Sequence, residues 1–223
     1  MLRLARRLPN YVRFTIDDRR FRKIYQKYKN FTMVPADIYV DNLCLASRIG
    51  EISGSVVECG TWRGGMMAGM ADVLGADRRY LLFDSFQGLP PAREIDGAAA
   101  LAWQSNKTSP IYFNNCAASE EEVTSVMSMS AARNYQIIKG WFNETLPKVN
   151  LLEPIALLRL DADWYESTKC ILDNLASHVA PGGMVIVDDY HTWEGCTLAI
   201  NEFAVTRKWR IRQSRRGVCF IIA

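Results

Sequence analysis

Four aspartates close two apolar runs of this 223-residue sequence. LLRLDADWYEST carries Asp161 and Asp163, and VIVDDYH carries Asp188 and Asp189. Carboxylates gathered in one place repel one another unless a cation or a proton neutralises them. Hard oxygen ligands of this kind suit Mg²⁺ better than zinc. Asp161 and Asp163 are two residues apart, so in an extended chain both side chains point the same way. One can then hold a metal while the other takes a proton from a substrate. The plainer alternative makes Asp163 and Asp189 helix N-caps, a common place for aspartate.

A second constellation lies upstream, in VECGTWRGG (residues 57–65). Gly60, Gly64 and Gly65 let the backbone approach a ligand closely. Asp84 closes the run YLLFD, 24 residues after Gly60. An acid at about that distance is placed to bond ribose hydroxyls. The glycine spacing is not G-x-G-x-x-G, so a nicotinamide fingerprint is not met, and a nucleoside cofactor without phosphates suits these residues better. The alternative is an ordinary tight turn before a helix. Other residues carry weaker signals. His191 follows the DDY and could face a substrate, whereas His178 near a helix end has a favourable dipole interaction. Trp141, in KGWF, is suited to stacking on a base or to the core. Trp164 and Tyr165 are read as capping the core.

These residues need elements that bring them to one edge. Helices are expected over residues 17–29, 35–49, 64–74, 167–180 and 193–207 from apolar spacing and small apolar runs. Strands are expected over 55–60, 80–84, 136–139, 154–160, 183–189, 209–214 and 217–222, with a turn at 215–216 between the last two. Residues 85–115 are rich in Gly, Pro and Asn and read as mostly loop. Ser119 with Glu122 reads as a capping box that opens a short helix. Apolar strands alternating with helices imply an α/β fold with a parallel sheet covered on both faces. The two closing strands would be antiparallel at one edge. In such sheets ligands sit outside the carboxyl ends of the strands, where Glu58, Asp84, Asp161, Asp188 and Asp189 fall.

Length and charge set limits. A chain of 223 residues buries roughly 70% of its unfolded surface, so it needs no staple. A charged fraction of 23% excludes disorder as the dominant state. No apolar run reaches the ~18 residues of a membrane span, and no signal-peptide core follows the N-terminal arginines. The six cysteines form no C-x-x-C pair and read as reduced thiols of a cytoplasmic protein. Residues 1–29 hold ten Lys/Arg and two Asp, against a net charge of +3 for the chain. Such a head suits an anionic membrane surface, an anionic partner or simply a solvated amphipathic helix. Residues 207–216 add six basic residues and no acid.

Six stretches now resemble one known family. VECGTWRGG, LLFDSFQGLP, IIKGWFNETLP, ALLRLDADWYEST, PGGMVIVDDY and WEGCTLAINEF are similar, in order and spacing, to the macrocin O-methyltransferase family, over residues 56–203. The resemblance implies a single Rossmann-like class I methyltransferase domain over 1–223. Its mostly parallel seven-stranded sheet would carry helices on both faces, with residues 1–50 as an N-terminal helical extension or lid. It implies Mg²⁺-dependent methyl transfer from S-adenosylmethionine to a sugar hydroxyl of an antibiotic glycoside, a polysaccharide or a lipid-linked glycan. Met33, Glu58, Gly60, Thr61, Asp84, Ser85, Gly140, Trp141 and Asp161 would lie at the cofactor. Asp161, Asp188 and Asp189 would hold Mg²⁺, and Asp163 would be the general base. A homo-oligomer, a dimer, and no nucleic-acid partner are expected. Ala162 stands where the family usually has glycine. The competing readings are an NAD-dependent oxidoreductase and a non-catalytic protein that kept the fold.

Overall fold

The computed structural model describes the backbone of residues 10–223 and the side chains of residues 18–223. Seven strands form one sheet in the order β3-β2-β1-β4-β5-β7-β6. They are β1 (Ser55–Cys59), β2 (Arg79–Asp84), β3 (Asn134–Lys139), β4 (Ile155–Leu160), β5 (Val179–Val187), β6 (Ile211–Gln213) and β7 (Cys219–Ile222). The first five pair in parallel, and β7 runs antiparallel to both β5 and β6. The sheet is therefore mixed, with the antiparallel pair at one edge as the closing strands imply.

Strand alternation divides the core in two. Val56, Leu82, Ile186 and Phe220 face a layer built by α1 (Asn10–Tyr28), α2 (Ala36–Arg48), α3 (Gly65–Leu74) and α5 (Glu120–Ser128). Val57, Leu81, Val185 and Ile221 face α7 (Tyr165–Leu175) and α8 (Glu194–Arg207). Each such side chain, fully buried, contributes about 1.5–3 kcal/mol. The central strands β1 and β4 are buried along their whole length. The capping box forms as read: Glu122 N donates to Ser119 Oγ and Ser119 N to Glu122 Oε2. None of the six cysteines is in a disulfide. Among the described residues no helix is long and apolar enough to cross a membrane.

Three sequence expectations change. The stretch 85–115 is not mostly loop. It holds a 3-10 turn (Glu94–Asp96), the helix α4 (Ala98–Ser105) and the start of a second 3-10 turn (Phe113–Cys116). The alanines of AAALAW supply the helix propensity that the surrounding Gly and Pro obscured. The helix expected over 167–180 ends at Leu175, and β5 begins at Val179, which pairs with Ile155 of β4. The β-branched residue and the following Pro-Gly-Gly leave the helical ladder there. The first helix starts at Asn10, well before residue 17. The short helix α6 (Phe142–Thr145) follows β3.

Candidate active site

Site residues collect where the parallel strands end, around a cavity of about 410 Å³. That volume lies in the ordinary range for a small-molecule site. At its base is a buried arginine. Arg159, on β4 and 0% exposed, faces Glu58 on β1, 1% exposed. The register pairs the two residues directly. Arg159 Nη1 lies 3.0 Å from Glu58 Oε1 and 2.7 Å from Asp161 Oδ2, and Nη2 lies 2.5 Å from Asp188 Oδ1. One cation thus ties the ends of β1, β4 and β5 together. Burial, opposed by Arg159, pushes the Glu58 carboxyl up to about 8.

Beyond Asp161 the chain turns tightly. Asp163 adopts the left-handed region at φ 59°, and Trp164 N donates to Ala162 O. Asp163 N donates to Asp189 Oδ2 at 3.0 Å, and Trp193 Nε1 donates to Asp163 Oδ1 at 2.9 Å. Carboxylate oxygens of Asp161, Asp163 and Asp189 lie within 4.8 Å of one another. Removal from bulk water, then the neighbouring charges, pushes Asp163 to about 8. Burial raises Asp161 to about 6 against the pull of Arg159, and holds Asp189 well above the usual range. The N-cap alternative fails for Asp163 and Asp189. The N-cap residues of α7 and α8 are Trp164 and Trp193. Asp96, from the stretch read as loop, receives the first N–H of α7, from Tyr165, at 2.7 Å.

The other end of the cavity is built at the glycine turn. Gly60 has φ 89°, and a Cβ there would overlap the carbonyl oxygen of Asp161. Gly64 opens α3 at φ 83°. Asp84 Oδ2 accepts from the backbone N–H of Thr61 and Trp62, both at 2.8 Å, and Oδ1 accepts from Phe86 at 2.7 Å. Its clearest role here is to pin the β1–α3 turn to the end of β2. A carboxylate offers about four acceptor sites, so capacity for a further hydroxyl remains. Ser85 Oγ donates to Gly88 O and accepts from Gln87 N. Met33, Gly60, Thr61, Gly140 and Trp141 line the same cavity with Asp84 and Ser85.

Two observations bear on what fits. Glu58 Oε2 and Thr61 Oγ1 are buried with no hydrogen-bond partner among the described residues. Buried polar atoms at a cavity wall call for a polar ligand, and a nucleoside-bearing donor supplies one. The three aspartate oxygens form an all-oxygen donor set that matches a hard divalent cation. Every cofactor residue expected from sequence reaches the cavity. Asp188 also lines it, but one oxygen is taken by Arg159. His191 does not. It is exposed, edge-on to Tyr190 and 3.4 Å from Gln213. His178 is exposed at the end of a 3-10 turn. Sequence reasoning missed Arg159 and Trp193. A lone arginine inside the apolar run of β4 was the available signal, since a buried charge needs a partner. Trp193 had none, because its contact spans thirty residues.

Comparison with known proteins follows the same lines. Residues 20–213 match the family described as macrocin-O-methyltransferase (TylF). The chain is 38% identical over 174 residues to demethyldecarbamoylnovobiocin O-methyltransferase of Streptomyces niveus, covering 72% of this chain and 62% of that protein. It is 31% identical over 170 residues to mycinamicin III 3''-O-methyltransferase of Micromonospora griseorubida, covering 72% and 64%. The chain thus spans under two thirds of the length of these curated relatives. It superposes on the solved O-methyltransferase NovP with a TM-score of 0.70 at 30% identity, covering 86% of this chain and 81% of that one. The calicheamicin methyltransferase CalS11, at 18% identity and a TM-score of 0.62, shares the fold. A match that runs from the first helix to the sixth strand, with relatives of this identity, makes the chain a member of the macrocin O-methyltransferase family.

Proposed function

We propose that this protein transfers the methyl group of S-adenosylmethionine to a hydroxyl of a sugar, assisted by Mg²⁺. The observation that carries this reading is the meeting, in one cavity, of Asp161, Asp163 and Asp189 with the unpartnered oxygens of Glu58 and Thr61. Family membership and relatives named for 4'- and 3''-O-methylation support a sugar acceptor. Met33, Glu58, Gly60, Thr61, Asp84, Ser85, Gly140, Trp141 and Asp161, which line the cavity, would hold the donor. Asp161 and Asp189 would hold the metal, together with the Asp188 oxygen that Arg159 leaves open. When bound, the donor supplies an electrophilic methyl group and the metal a Lewis acid that lowers the pKa of a nearby hydroxyl.

The chain's own residues do the rest. Asp163 accepts the hydroxyl proton at the oxygen that Trp193 leaves open. Arg159 offsets the charge gathered beneath the aspartates. The Asp84 bonds hold the glycine turn rigid against the donor, so that attack distance is set before reaction. Six thiols, none in a disulfide, suit a reducing cytoplasm. Acceptors of the three kinds named above, glycosides, polysaccharide fragments and lipid-linked glycans, are the ones to screen.

Titration calorimetry tests the reading with S-adenosylmethionine, with and without Mg²⁺, and with NAD as control. Saturable binding of the methyl donor and none of NAD is expected. Binding of NAD alone, or of neither, would overturn it.

A further inference from the structure

A second cavity lies apart from the methyl-transfer site, beside the strand that ends the sheet. That strand is β3. Gln136 pairs with Leu81 and Ile138 with Phe83. Leu81 and Phe83 belong to the core cluster on the α7 and α8 side. Side chains alternate along a strand, so Arg79, Gln136 and Ile138 share that face. The chain after β3 folds back over it. Leu146 is buried in the same cluster, and Val149 and Leu151 pack against it. Between the strand and this returning segment lies a groove of about 580 Å³.

Positive charge is concentrated there. Arg79, Lys139 and Lys148 line the groove against one acid, Glu144. Arg79 Nη2 donates to Gln136 Oε1 at 3.0 Å, which fixes the guanidinium on the groove wall. Arg79 Nη1 is buried and has no hydrogen-bond partner among the described residues. A buried donor left unpaired is costly, more so when charged. A guanidinium is also a planar fork that matches two oxygens of one phosphate. Lys139, whose field reaches Glu121, and Lys148 are exposed and form no ion pair among the described residues. Ile138 and Leu152 add an apolar wall, and Leu152 is 74% exposed.

We propose that this groove binds a phosphate group, at a site separate from the methyl-transfer cavity. The excess of cations selects an anion, and the open N–H of Arg79 selects one rich in acceptor oxygens. The two cavities stand on either side of the turn that follows β3. Gly140, Trp141 and Phe142 line the methyl-transfer cavity, whereas Lys139, Glu144 and Thr145 line the groove. The inference uses no residue assigned to the donor, the metal or proton transfer, so it does not depend on the methyl-transfer reading.

Titration calorimetry of the full chain with inorganic pyrophosphate tests it, at low salt and without divalent cations, with and without S-adenosylmethionine. Acetate is the control anion. Saturable binding of pyrophosphate is expected in both conditions, and none of acetate. Arg79→Gln should weaken it by about ten- to a hundredfold, the effect of losing a hydrogen bond between charged groups. Lys148→Gln, a change at an exposed side chain that leaves the fold intact, should weaken it by about two- to fivefold. Absence of pyrophosphate binding overturns the proposal. Displacement of pyrophosphate by S-adenosylmethionine does so too, by putting the anion in the methyl-transfer cavity. Binding that ignores both variants also overturns it, by putting the anion elsewhere. The basic head is one such place, and its residues 1–9 and the side chains of 10–17 lie outside the described residues. A parallel titration with uridine diphosphate separates the sources of the phosphate. Tighter binding than pyrophosphate, lost in Leu152→Ser, supports an organic phosphate seated on the apolar wall. Equal binding of the two supports the inorganic anion.

Discussion

Asp163 is held by two restraints from two directions. Its backbone N–H is fixed by Asp189 and its Oδ1 by the indole of Trp193. Asp163→Asn removes the proton acceptor and keeps the shape. Turnover should fall by about 10²–10⁴-fold, while calorimetry shows donor affinity unchanged. Wild-type turnover in that variant would refute the assignment. Trp193→Phe keeps the ring against Trp164, 5.2 Å away, and deletes only the N–H. A hydrogen bond to a charged group is worth about 1.5–3 kcal/mol, so turnover should drop by about ten- to a hundredfold. The KM for the donor should stay put, and a change confined to KM would place Trp193 at the donor instead. Arg159→Met leaves Glu58, Asp161 and Asp188 facing one another without their cation. Breaking a buried ion pair from one side costs about 3–5 kcal/mol. Denaturant unfolding should register a loss of that size, and an unchanged midpoint would show that protons replace the arginine. The aspartates were legible as residues, because four acids ending two apolar runs are visible in the chain. Their division of labour was not. Asp188 turns to Arg159 while Asp163 joins Asp161 and Asp189, and side-chain direction is set by packing across strands.

The elements place these residues with little slack. β1 and β4 are buried neighbours, and Gly60 at the end of β1 sits against the Asp161 carbonyl. Gly60→Ala should therefore destabilise by more than about 4 kcal/mol, or yield no soluble folded protein. Circular dichroism and a melting curve check this, and a near-native midpoint would mean that the strand ends can separate. The strands were readable because each is an apolar run that ends in an acid or a glycine. The stretch after β2 was not. Its helix α4 and its two 3-10 turns are stabilised from outside. Asp96 caps α7, and Trp164 Nε1 donates to Pro90 O. Trp103 packs edge-on to both Trp164 and Trp193. Phe113, Asn114, Asn115 and Cys116 all take positive φ, a conformation only asparagine tolerates readily among these residues. The Asn115 side chain holds it by donating to Leu89 O and accepting from Gln104.

At the scale of the whole molecule, the site gathers negative charge that the fold must tolerate. Burial pushes Glu58 and Asp163 up to about 8. Unfolded carboxyls titrate near 4, so between these values the folded protein binds more protons than the unfolded chain. Stability from these groups is full below about pH 4 and is lost as pH rises through about 8. Without a divalent cation, the melting temperature should fall between about pH 5 and pH 8. Mg²⁺ should offset the fall, and more strongly at the upper end, since it competes with protons for the same oxygens. Differential scanning fluorimetry across that range checks the sign. A flat profile that ignores Mg²⁺ would show that the aspartates are neither strained nor metal-binding.

Sequence alone determined the class of fold and the edge at which chemistry occurs. Apolar periodicity and the residues that end each run are local properties, and parallel strands deliver their ends to one side. The family resemblance likewise lay in local motifs, VECGTWRGG and LLRLDADWYEST among them. Tertiary structure decided what depends on contacts across the chain. It set Arg159 beneath three carboxylates, Trp193 on Asp163, and Asp84 on the backbone of the glycine turn. It also joined two basic segments nearly two hundred residues apart through Asp18 and Arg216. None of these pairings follows from spacing, because each is chosen by strand register and helix packing.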